Sequence, residues 1–339
     1  MLGPVAEQPI PLILDVDTGI DDALAILYAC ASADAELVAV TCVAGNVAAP
    51  QVAQNTLGVL HLGGRDDVEV ALGQQTPLSR ELRTAPETHG PQGIGYAELP
   101  PEATGRALSS RHAAELLIDE AEARPGQLTL VTLGPLSNLA VALMRKPKLP
   151  SLLRRLVMMA GSYRSAGNTA PTTEWNVAVD PEAMQVVLAA FAAYPEVPRP
   201  LALGLDVTER AKFTPDHLIG LRARSGLLKH DPLLRFIDDA LRFYMEFHSR
   251  YDGFYGAFIH DALAVASALD NALVRSEPVT VEVELAGRLT TGETVTDWRR
   301  QWGRAPNLDV CVDADIPVFF DRLIDRVAGL AQARAGVAS

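Results

Sequence analysis

The sequence is poor in three features that would each have indicated a class of protein: cysteine, net positive charge and long apolar runs. Its 339 residues include only three cysteines, Cys30, Cys42 and Cys311. Their number and spacing suit neither a disulfide framework nor a zinc site. Small buried thiols in a reducing compartment are the simpler interpretation, and they favour a cytoplasmic location.

The charge balance argues against large anionic partners. The formal net charge is -13, whereas nucleic acids and anionic membranes need a basic footprint on the protein. Apolar runs are interrupted well before the ~18 residues of a membrane-spanning helix. The first residues show no basic region followed by an apolar core, so no secretory signal is expected. We therefore expect no nucleic-acid and no membrane partner. A small neutral substrate or a metal ion is compatible with the negative charge.

Familiar motifs for phosphate and zinc are also missing. The chain has no Walker A loop, no zinc-binding helix motif and no GxGxxG after its first predicted strand. The turn after that strand reads G-I-D-D, with a single glycine. A phosphate cradle is therefore not favoured.

Apolar strand-like runs alternate with helical patterns along most of the chain. This alternation predicts an α/β fold with an open, mostly parallel, Rossmann-like sheet and helices on both faces. Period-two alternation in 279–298 predicts a small antiparallel addition near the C-terminus. No linker or repeat interrupts the pattern, so a single domain over 1–339 is expected. The predicted strands are 11–15, 36–45, 68–73, 127–133, 155–161, 200–207 and 307–315, and the predicted helices are 21–32, 50–63, 111–123, 137–146, 180–191, 214–250 with a break near Asp231-Pro232, 260–270 and 315–333.

Four aspartates crowd the end of the first predicted strand, in the stretch LILDVDTGIDDALAIL at 12–27. Asp21 and Asp22 stand where a helix begins, and the helix dipole favours each by roughly 0.3–1 kcal/mol. That explanation does not extend to Asp15 and Asp17 on the strand side. Clustered carboxylates repel one another unless something neutralises them. Oxygen ligands suit Ca²⁺ or Mg²⁺, so we favour a hard divalent cation here.

Further polar residues follow other predicted strands or precede helices. Ligands of open α/β sheets bind at the carboxyl ends of the strands. The fold is therefore expected to bring these residues to the same edge as the aspartates. They are Asn46, the LGPLSN segment at 133–138, Asn168, Glu174, Asn176 and the pair His260-Asp261.

Several motifs together resemble one family. They are DVDTGIDDALAI, VAGN (43–46), HG (89 and 90), LGPLSNLA, GN (167 and 168), EWNVAVDPEA and HDALAVA, in order from residue 11 to about 270. The chain resembles the inosine-uridine preferring nucleoside hydrolases, which cleave the N-glycosidic bond of ribonucleosides to give a free base and ribose. Thr18 stands where proline is common in the family. The resemblance implies a nucleosidase of nucleoside catabolism and purine or pyrimidine salvage, acting on a small ribonucleoside as a homodimer or homotetramer.

The resemblance also implies roles for individual residues. It implies bound Ca²⁺, with Asp17, Asp22, Asp261 and the backbone carbonyl of Leu133 as ligands. Asp17 would also be the general base that activates a water held by the Ca²⁺, and Asp15 would support the ligands from behind. The residues implied to hold the ribose are Asp21, Asn46, Asn168, Glu174 and Asn176.

The motifs define the roles of the histidines less closely. His260 is the candidate acid for the leaving base, because histidine titrates near neutral pH; a packing or base-contacting role is the alternative. His89 lies in the long loop predicted at 73–109, where it could contact base or sugar, or be exposed. The remaining histidines have no motif support and are expected to be structural or exposed; they are His61, His112, His217, His230 and His248.

Aromatic residues before His260 are candidates for stacking on a nucleobase, although aromatics at such spacing more often pack in a core. They are Tyr251, Phe254, Tyr255 and Phe258. Trp175 lies between two predicted ribose contacts, and strand-like alternation would point its side chain away. The preference for purine or pyrimidine stays open.

Two other functions compete with the nucleosidase interpretation. LILDVDTG resembles the D-x-D loop of haloacid-dehalogenase-type phosphatases, but Thr18-Gly19 comes in the wrong order and Asp21-Asp22 has no place in that motif. A non-catalytic nucleoside or sugar binder is the second alternative. An acidic residue at position 17 argues against it, because binding alone does not need a base there.

Overall fold

The computed structural model describes residues 8–103, 105–227 and 231–337. Its central feature is a nine-stranded sheet, with a separate two-stranded ribbon. The strands are β1 (Ile10–Val16), β2 (Ala35–Cys42), β3 (Glu69–Leu72), β4 (Thr129–Thr132), β5 (Arg155–Met159), β6 (Leu201–Leu203), β7 (Lys212–Phe213), β8 (Ala257–Phe258), β9 (Val274–Val283), β10 (Thr294–Asp297) and β11 (Leu308–Ala314).

Helices follow most strands. They are α1 (Ile20–Cys30), α2 (Ala49–Leu62), α3 (Pro86–His89), α4 (Ala113–Ala123), α5 (Ser137–Arg145), α6 (Leu149–Leu152), α7 (Trp175–Val179), α8 (Pro181–Ala192), α9 (Leu205–Thr208), α10 (Pro215–Ser225), α11 (Pro232–Tyr251), α12 (His260–Leu269) and α13 (Ile316–Val337). No helix in the described ranges is both long enough and apolar enough to span a membrane.

The sheet confirms the predicted architecture. Its strand order is β10-β9-β11-β6-β5-β4-β1-β2-β3. Strands β3, β2, β1, β4, β5, β6 and β11 run parallel, and β9 and β10 add antiparallel pairs at one edge. The predicted hairpin at 279–298 is this antiparallel addition, although β9 begins earlier, at Val274.

Each face of the sheet carries its own hydrophobic core, as expected for parallel strands covered by helices on both sides. Leu12 and Leu14 of β1 point into a core with α1, α2 and α12. Ile13, between them, points into the other core with α4 and α5. All three side chains are fully buried. The near-continuous apolar run of the first strand follows from this two-sided burial.

Some predicted boundaries are wrong. The segment 200–207 was expected to be one strand, but β6 ends at Leu203 and α9 begins at Leu205. Backbone N–H groups of residues 163–165 bind the Asp206 carboxylate, which holds the chain in this turn. A short apolar run does not distinguish a strand from a buried helical turn. The second predicted strand likewise ends at Cys42 rather than residue 45, and the long loop at 73–109 contains α3.

The strand order reverses direction around β1, and this creates the crevice that matters for function. From β1 the chain proceeds outwards to β2 and β3, then returns to β4 on the other side of β1. Such a switch point leaves an open crevice beyond the carboxyl ends of the strands. The segment after β1, with its aspartates, lies at this crevice.

Asp180 provides a test of the packing beside it. Its buried carboxylate accepts hydrogen bonds from Ala183 N (3.0 Å), Leu78 N (2.9 Å) and Ser137 Oγ (2.5 Å), so it caps α8 and ties it to α5. Replacing Asp180 by alanine leaves these donors unpaired. We expect Asp180→Ala to lower the free energy of unfolding by about 2–4 kcal/mol, measured by urea denaturation.

The matched control is Asp119→Ala. The Asp119 side chain is 54% exposed and contacts Arg111 at 3.3 Å, so its loss is expected to cost less than ~1 kcal/mol. Equal unfolding midpoints for the two variants would contradict the role given to Asp180.

Candidate functional site

A cavity of about 500 Å³ lies beyond the carboxyl ends of β1, β4 and β5, within the size range of small-ligand sites. Most of the residues singled out from the sequence line it, whereas Asp15 and Asp22 do not. Those lining it are Asp17, Asp21, Asn46, His89, Leu133, Asn168, Glu174, Asn176, His260 and Asp261. Asp22 lies against this group: one of its carboxylate oxygens is within 4.8 Å of one oxygen of Asp21 and one of Asp261.

Backbone donors hold the acidic cluster in place. Asp17 follows β1, while Asp21 and Asp22 lie in the first turn of α1. Asp22 accepts hydrogen bonds from Gly19 N (2.8 Å) and Asp17 N (3.3 Å). Asp17 Oδ2 accepts one from Asn46 N at 2.8 Å. Asp261 comes from the first turn of α12, which packs beside α1.

Two glycines make room for the Asp17 carboxylate. A Cβ atom added to Gly45 would collide with Asp17 Oδ2, and one added to Gly134 would lie 2.8 Å from Asp17 Oδ1. The turns after β2 and β4 therefore approach Asp17 so closely that only glycine fits. This packing fixes the carboxylate on both sides.

The cluster has the electrostatics of a site that needs a counter-charge. Burial, followed by the charge of Asp22, raises the pKa of Asp21 to about 8. Burial also raises the pKa of Asp22 to about 6. The pKa values of Asp17 and Asp261 lie well above the ordinary range, again because of burial first and neighbouring carboxylates second. Without a cation, burial favours the protonated form of each of these groups, and Asp21 holds its proton at pH 7.

The residues present fit a hard divalent cation. The convergent donors are all oxygens: the carboxylates of Asp21, Asp22 and Asp261, with Asp17 and the carbonyl of Leu133 facing the same cavity. Asn46 Oδ1 is buried and has no hydrogen-bond partner among the described residues. An oxygen-only donor set with net negative charge suits Ca²⁺ or Mg²⁺.

Asp15 lies behind the cavity and does not line it. Its Oδ1 accepts hydrogen bonds from Thr41 Oγ1 (2.6 Å) and Asn138 Nδ2 (2.8 Å). Burial raises its pKa to about 7. Asn138 also accepts a hydrogen bond from Gln74 N at 2.7 Å, so it ties Asp15 to the turn after β3. This placement agrees with a supporting role.

Other hydrogen-bonding groups, from Asn168, Glu174 and Asn176, line the same cavity. Glu174 caps α7 and accepts hydrogen bonds from Asn176 N (2.7 Å), Gly161 N (2.9 Å) and Val177 N (3.2 Å). Asn176 Nδ2 donates to the carbonyls of Leu133 (2.7 Å) and Met159 (3.0 Å). Asn168 Oδ1 accepts from Trp175 N at 3.0 Å. Carboxylates and amides that line one space suit a polyhydroxyl ligand.

Histidines and aromatic rings form the third wall. Burial lowers the pKa of both His89 and His260 to about 3. Ile20 N donates to His89 Nδ1 at 3.2 Å, and His260 Nδ1 lies 2.8 Å from Thr208 Oγ1. Helix α11 completes the wall with Tyr244, Phe247, His248 and Tyr251, joined by Phe258 of β8.

His248 was expected to be structural or exposed, and the structure corrects this. It is buried and lines the cavity. The sequence signal was available: Tyr244, His248 and Tyr251 lie on one face of a helix at i, i+4 and i+7. Of the other histidines, His61 pairs with Asp66 at the surface and His112 caps α4, both outside the cavity. His217 packs against Phe320. His230 lies outside the described residues.

Trp175 is a second correction. The expectation that it points away assumed strand alternation, but the segment begins helix α7, and Trp175 lines the cavity. Among the four aromatic candidates, Tyr251 and Phe258 line the cavity. Phe254 stacks on His248 with ring centroids 5.5 Å apart, and Tyr255 is 50% exposed.

Comparison with known proteins gives a consistent family. Residues 12–321 match the family described as inosine-uridine preferring nucleoside hydrolase. The chain is 36% identical over 319 residues to the "Inosine-uridine preferring nucleoside hydrolase" of Leishmania major, covering 94% of this chain and 97% of that protein. It is 36% identical over 319 residues to the "Pyrimidine-specific ribonucleoside hydrolase RihA" of Escherichia coli O9:H4 (strain HS), with 94% and 98% coverage.

A solved structure agrees with the sequence relatives. The "Purine-Preferring Ribonucleoside Hydrolase from Gardnerella vaginalis" superposes with a TM-score of 0.86 at 30% identity, covering 95% of this chain and 99% of that one. Similarity therefore extends over nearly the whole chain, including every segment that lines the cavity.

The raised pKa values predict how stability depends on pH. In the metal-free fold, burial raises the pKa of Asp22 to about 6, that of Asp15 to about 7 and that of Asp21 to about 8, from the ordinary pKa of 3.8. The folded state therefore holds protons that the unfolded chain has released, and this stabilisation is lost as pH rises through those values. We expect the unfolding temperature of metal-free protein to fall between about pH 5 and pH 8, measured by calorimetry.

A divalent cation is expected to reverse that loss. Millimolar Ca²⁺ or Mg²⁺ should raise the unfolding temperature more at pH 8 than at pH 5, because protons compete with the cation at low pH. NaCl at equal ionic strength is the control for screening. An unfolding temperature that does not respond to either cation at pH 8 would contradict a cation site at this cluster.

Proposed function

The chain belongs to the inosine-uridine preferring nucleoside hydrolase family and is a ribonucleoside hydrolase that cleaves the N-glycosidic bond, and we propose that it does so with a Ca²⁺-held water activated by Asp17. The observation that carries this proposal is the buried group of Asp21, Asp22 and Asp261 at the cavity that Glu174 and Asn176 also line. A binding site for a neutral sugar has no need of so many buried carboxylates.

The calcium ligands proposed are the carboxylates of Asp17, Asp22 and Asp261 and the carbonyl of Leu133. Leu133 lines the cavity, and its carbonyl accepts one hydrogen bond from Asn176 while retaining a second lone pair. Bound Ca²⁺ would orient the water and lower its pKa. Asp17, fixed between Gly45 and Gly134, then receives the water's proton as general base.

Ribose binding is assigned to the residues that surround the remaining polar space. Asp21 offers its carboxylate from the start of α1, and Asn46 offers its unpartnered Oδ1. Glu174, Asn176 and Asn168 line the same cavity. Carboxylate and amide oxygens on both sides favour the positive charge that builds on the sugar as the C–N bond breaks.

The nucleobase then occupies the aromatic part of the cavity. When the sugar occupies the part of the cavity lined by the aspartates, Glu174 and the asparagines, the remaining part is bounded by His89, His260 and the rings of α11. His89 and His260 are proposed to contact the base there. The relatives named above include a pyrimidine-specific and a purine-preferring hydrolase, so the preferred base is a question for a substrate panel. The homodimer or homotetramer, the salvage role and the cytoplasmic location stay predictions.

The first prediction about catalysis concerns the general base, Asp17. Asp17→Asn keeps the shape of the side chain but cannot accept the proton, so at saturating Ca²⁺ we expect kcat to fall by roughly 10²–10⁴-fold. Release of free ribose from inosine and uridine measures turnover, and nucleoside binding is followed separately by calorimetry. Asp119→Asn, at the exposed surface, is the matched control. Wild-type turnover in Asp17→Asn would reject the base assignment.

The second prediction concerns the metal. Chelation followed by metal analysis should give a protein that releases no ribose from any nucleoside in a panel of purine and pyrimidine ribosides. Added Ca²⁺ should restore the activity. A preparation shown by mass spectrometry to be free of metal, yet fully active, would exclude the calcium role. Nucleoside binding without ribose release in the presence of Ca²⁺ would instead support a non-catalytic binder.

A further inference from the structure

Two carboxylates that line the cavity have no role in the scheme above. Glu209 directly follows α9, and Asp252 directly follows α11. Both line the cavity, and neither belongs to the acidic cluster after β1. Burial raises the pKa of Glu209, and the negative charge of Asp252 raises it further, so the two groups are near neighbours.

Asp252 lies beside the rings that bound the space left for the base. Its Oδ2 is 2.7 Å from Nδ1 of His248. The centroid of the His248 ring lies 4.5 Å from that of Tyr244 and 4.7 Å from that of Phe258. These rings line the same cavity as Asp252. The carboxylate therefore lies next to the aromatic part of the cavity.

Glu209 lies close to the same space. Thr208, the residue before it, places Oγ1 2.8 Å from Nδ1 of His260, which bounds the space left for the base. The half-buried side chain of Glu209 makes no hydrogen bond and no ion pair within the described ranges. A partly desolvated carboxylate without a partner is unfavourable, so a ligand that supplies one gains binding energy.

Neighbouring cationic side chains do not neutralise this pair. Lys212 lowers the pKa of Glu209 by less than burial raises it. The arginine that lines the cavity, Arg83, lies 5.9 Å from the centroid of the Trp175 ring instead. Burial lowers the pKa of His248, which favours its neutral form. The negative charge beside the space for the base therefore stays uncompensated.

Aromatic rings and carboxylates together recognise organic cations. The face of an aromatic ring attracts a cation, and a carboxylate nearby supplies the opposite charge. The rings that line this part of the cavity are Tyr244, Phe247 and Tyr251 of α11 and Phe258 of β8. A neutral base would fill the space but leave both carboxylates without a counter-charge.

We propose that the cavity binds and hydrolyses ribonucleosides whose base carries a positive charge, with Glu209 and Asp252 as the counter-charge. N-methylated adenine and cytosine are bases of this class. The inference rests on the proposed function, because it names a substrate class for the same hydrolysis. Glu209 and Asp252 determine specificity and do not act on the bond that breaks.

The reaction balances with water as the second reactant. The bond between C1′ and the base nitrogen breaks, and its electron pair stays on the base and cancels the positive charge. The base therefore leaves neutral, without receiving a proton. The water oxygen bonds to C1′, and one proton of the water moves to Asp17 and then to solvent. The products are ribose, a neutral base and one proton.

This movement of charge predicts which kinetic constant changes. Positive charge leaves the base and builds on the sugar as the bond breaks. Glu209 and Asp252 therefore stabilise the bound substrate more than the transition state. Their contribution is expected in KM, whereas kcat should not fall when one of them loses its charge.

The test compares nucleosides with and without the charge, at saturating Ca²⁺ and pH 7. The pairs are 1-methyladenosine with adenosine and 3-methylcytidine with cytidine, because each methylated base is cationic at this pH. We expect the wild type to hydrolyse a methylated nucleoside with a KM at least about tenfold below that of its parent. Glu209→Gln should raise the KM of the methylated nucleoside by about tenfold or more, without lowering kcat.

The parent nucleosides and a surface variant are the controls. Glu209→Gln should change the KM of adenosine and cytidine less than about threefold, which also shows that the variant is folded. Glu36→Gln makes the same change at a side chain that is 53% exposed, near the amino end of β2, and should change neither member of a pair. Asp252→Asn should act in the same direction as Glu209→Gln.

Three results would overturn the inference. The first is a wild type that hydrolyses the parent nucleosides but not their methylated forms. The second is an equal rise in KM for both members of a pair in Glu209→Gln, which would mean that the residue contacts a group common to both bases. The third is an unchanged KM for the methylated member. A wild type that releases ribose from no nucleoside would instead reject the proposed function itself.

Discussion

The burial of several carboxylates at one edge of the sheet is the constraint on which the rest of the site depends. Asp17, Asp21, Asp22 and Asp261 are all buried and close together. Four such groups can stay buried only if they bind protons or a cation. The fold prepares this cluster in advance: backbone N–H groups hold Asp22 and Asp17, and Gly45 and Gly134 leave space for one carboxylate. These features stabilise charge in a fixed place, which is what electrostatic catalysis requires.

In the proposed binding mode, the acidic cluster also determines the orientation of the substrate. The sugar binds the carboxylates together with Glu174 and Asn176. The base then extends towards α11, where the carboxylates that line the cavity are Asp252 and Glu209. In the proposed binding mode, α3, α11, β8 and the start of α12 surround the base, while Asp21, Asn46, Glu174 and Asn176 surround the sugar.

The sequence predicted the parts of the molecule that local patterns determine. The order of strands and helices, the antiparallel addition and the residues after β1 all follow from hydrophobic periodicity and from short motifs. Residues 200–207 were misread because an apolar run fits a strand and a buried turn equally well, and Asp206 decides between them through contacts 41–43 residues away in the chain. Trp175 differs from expectation because strand-like alternation points its side chain away, whereas its segment begins helix α7 and the side chain lines the cavity. His248 belongs to no motif, and the packing of α11 against α1, α3 and β8 brings it to the cavity.

The central claim is that the buried carboxylates exchange protons for a cation, and calorimetric titration of metal-free protein with Ca²⁺ tests it most directly. At neutral pH, in two buffers of different ionisation enthalpy, the account predicts binding of about one Ca²⁺ per chain with release of protons to the buffer. Saturable binding without proton release would contradict the account, as would the absence of Ca²⁺ binding at millimolar concentration.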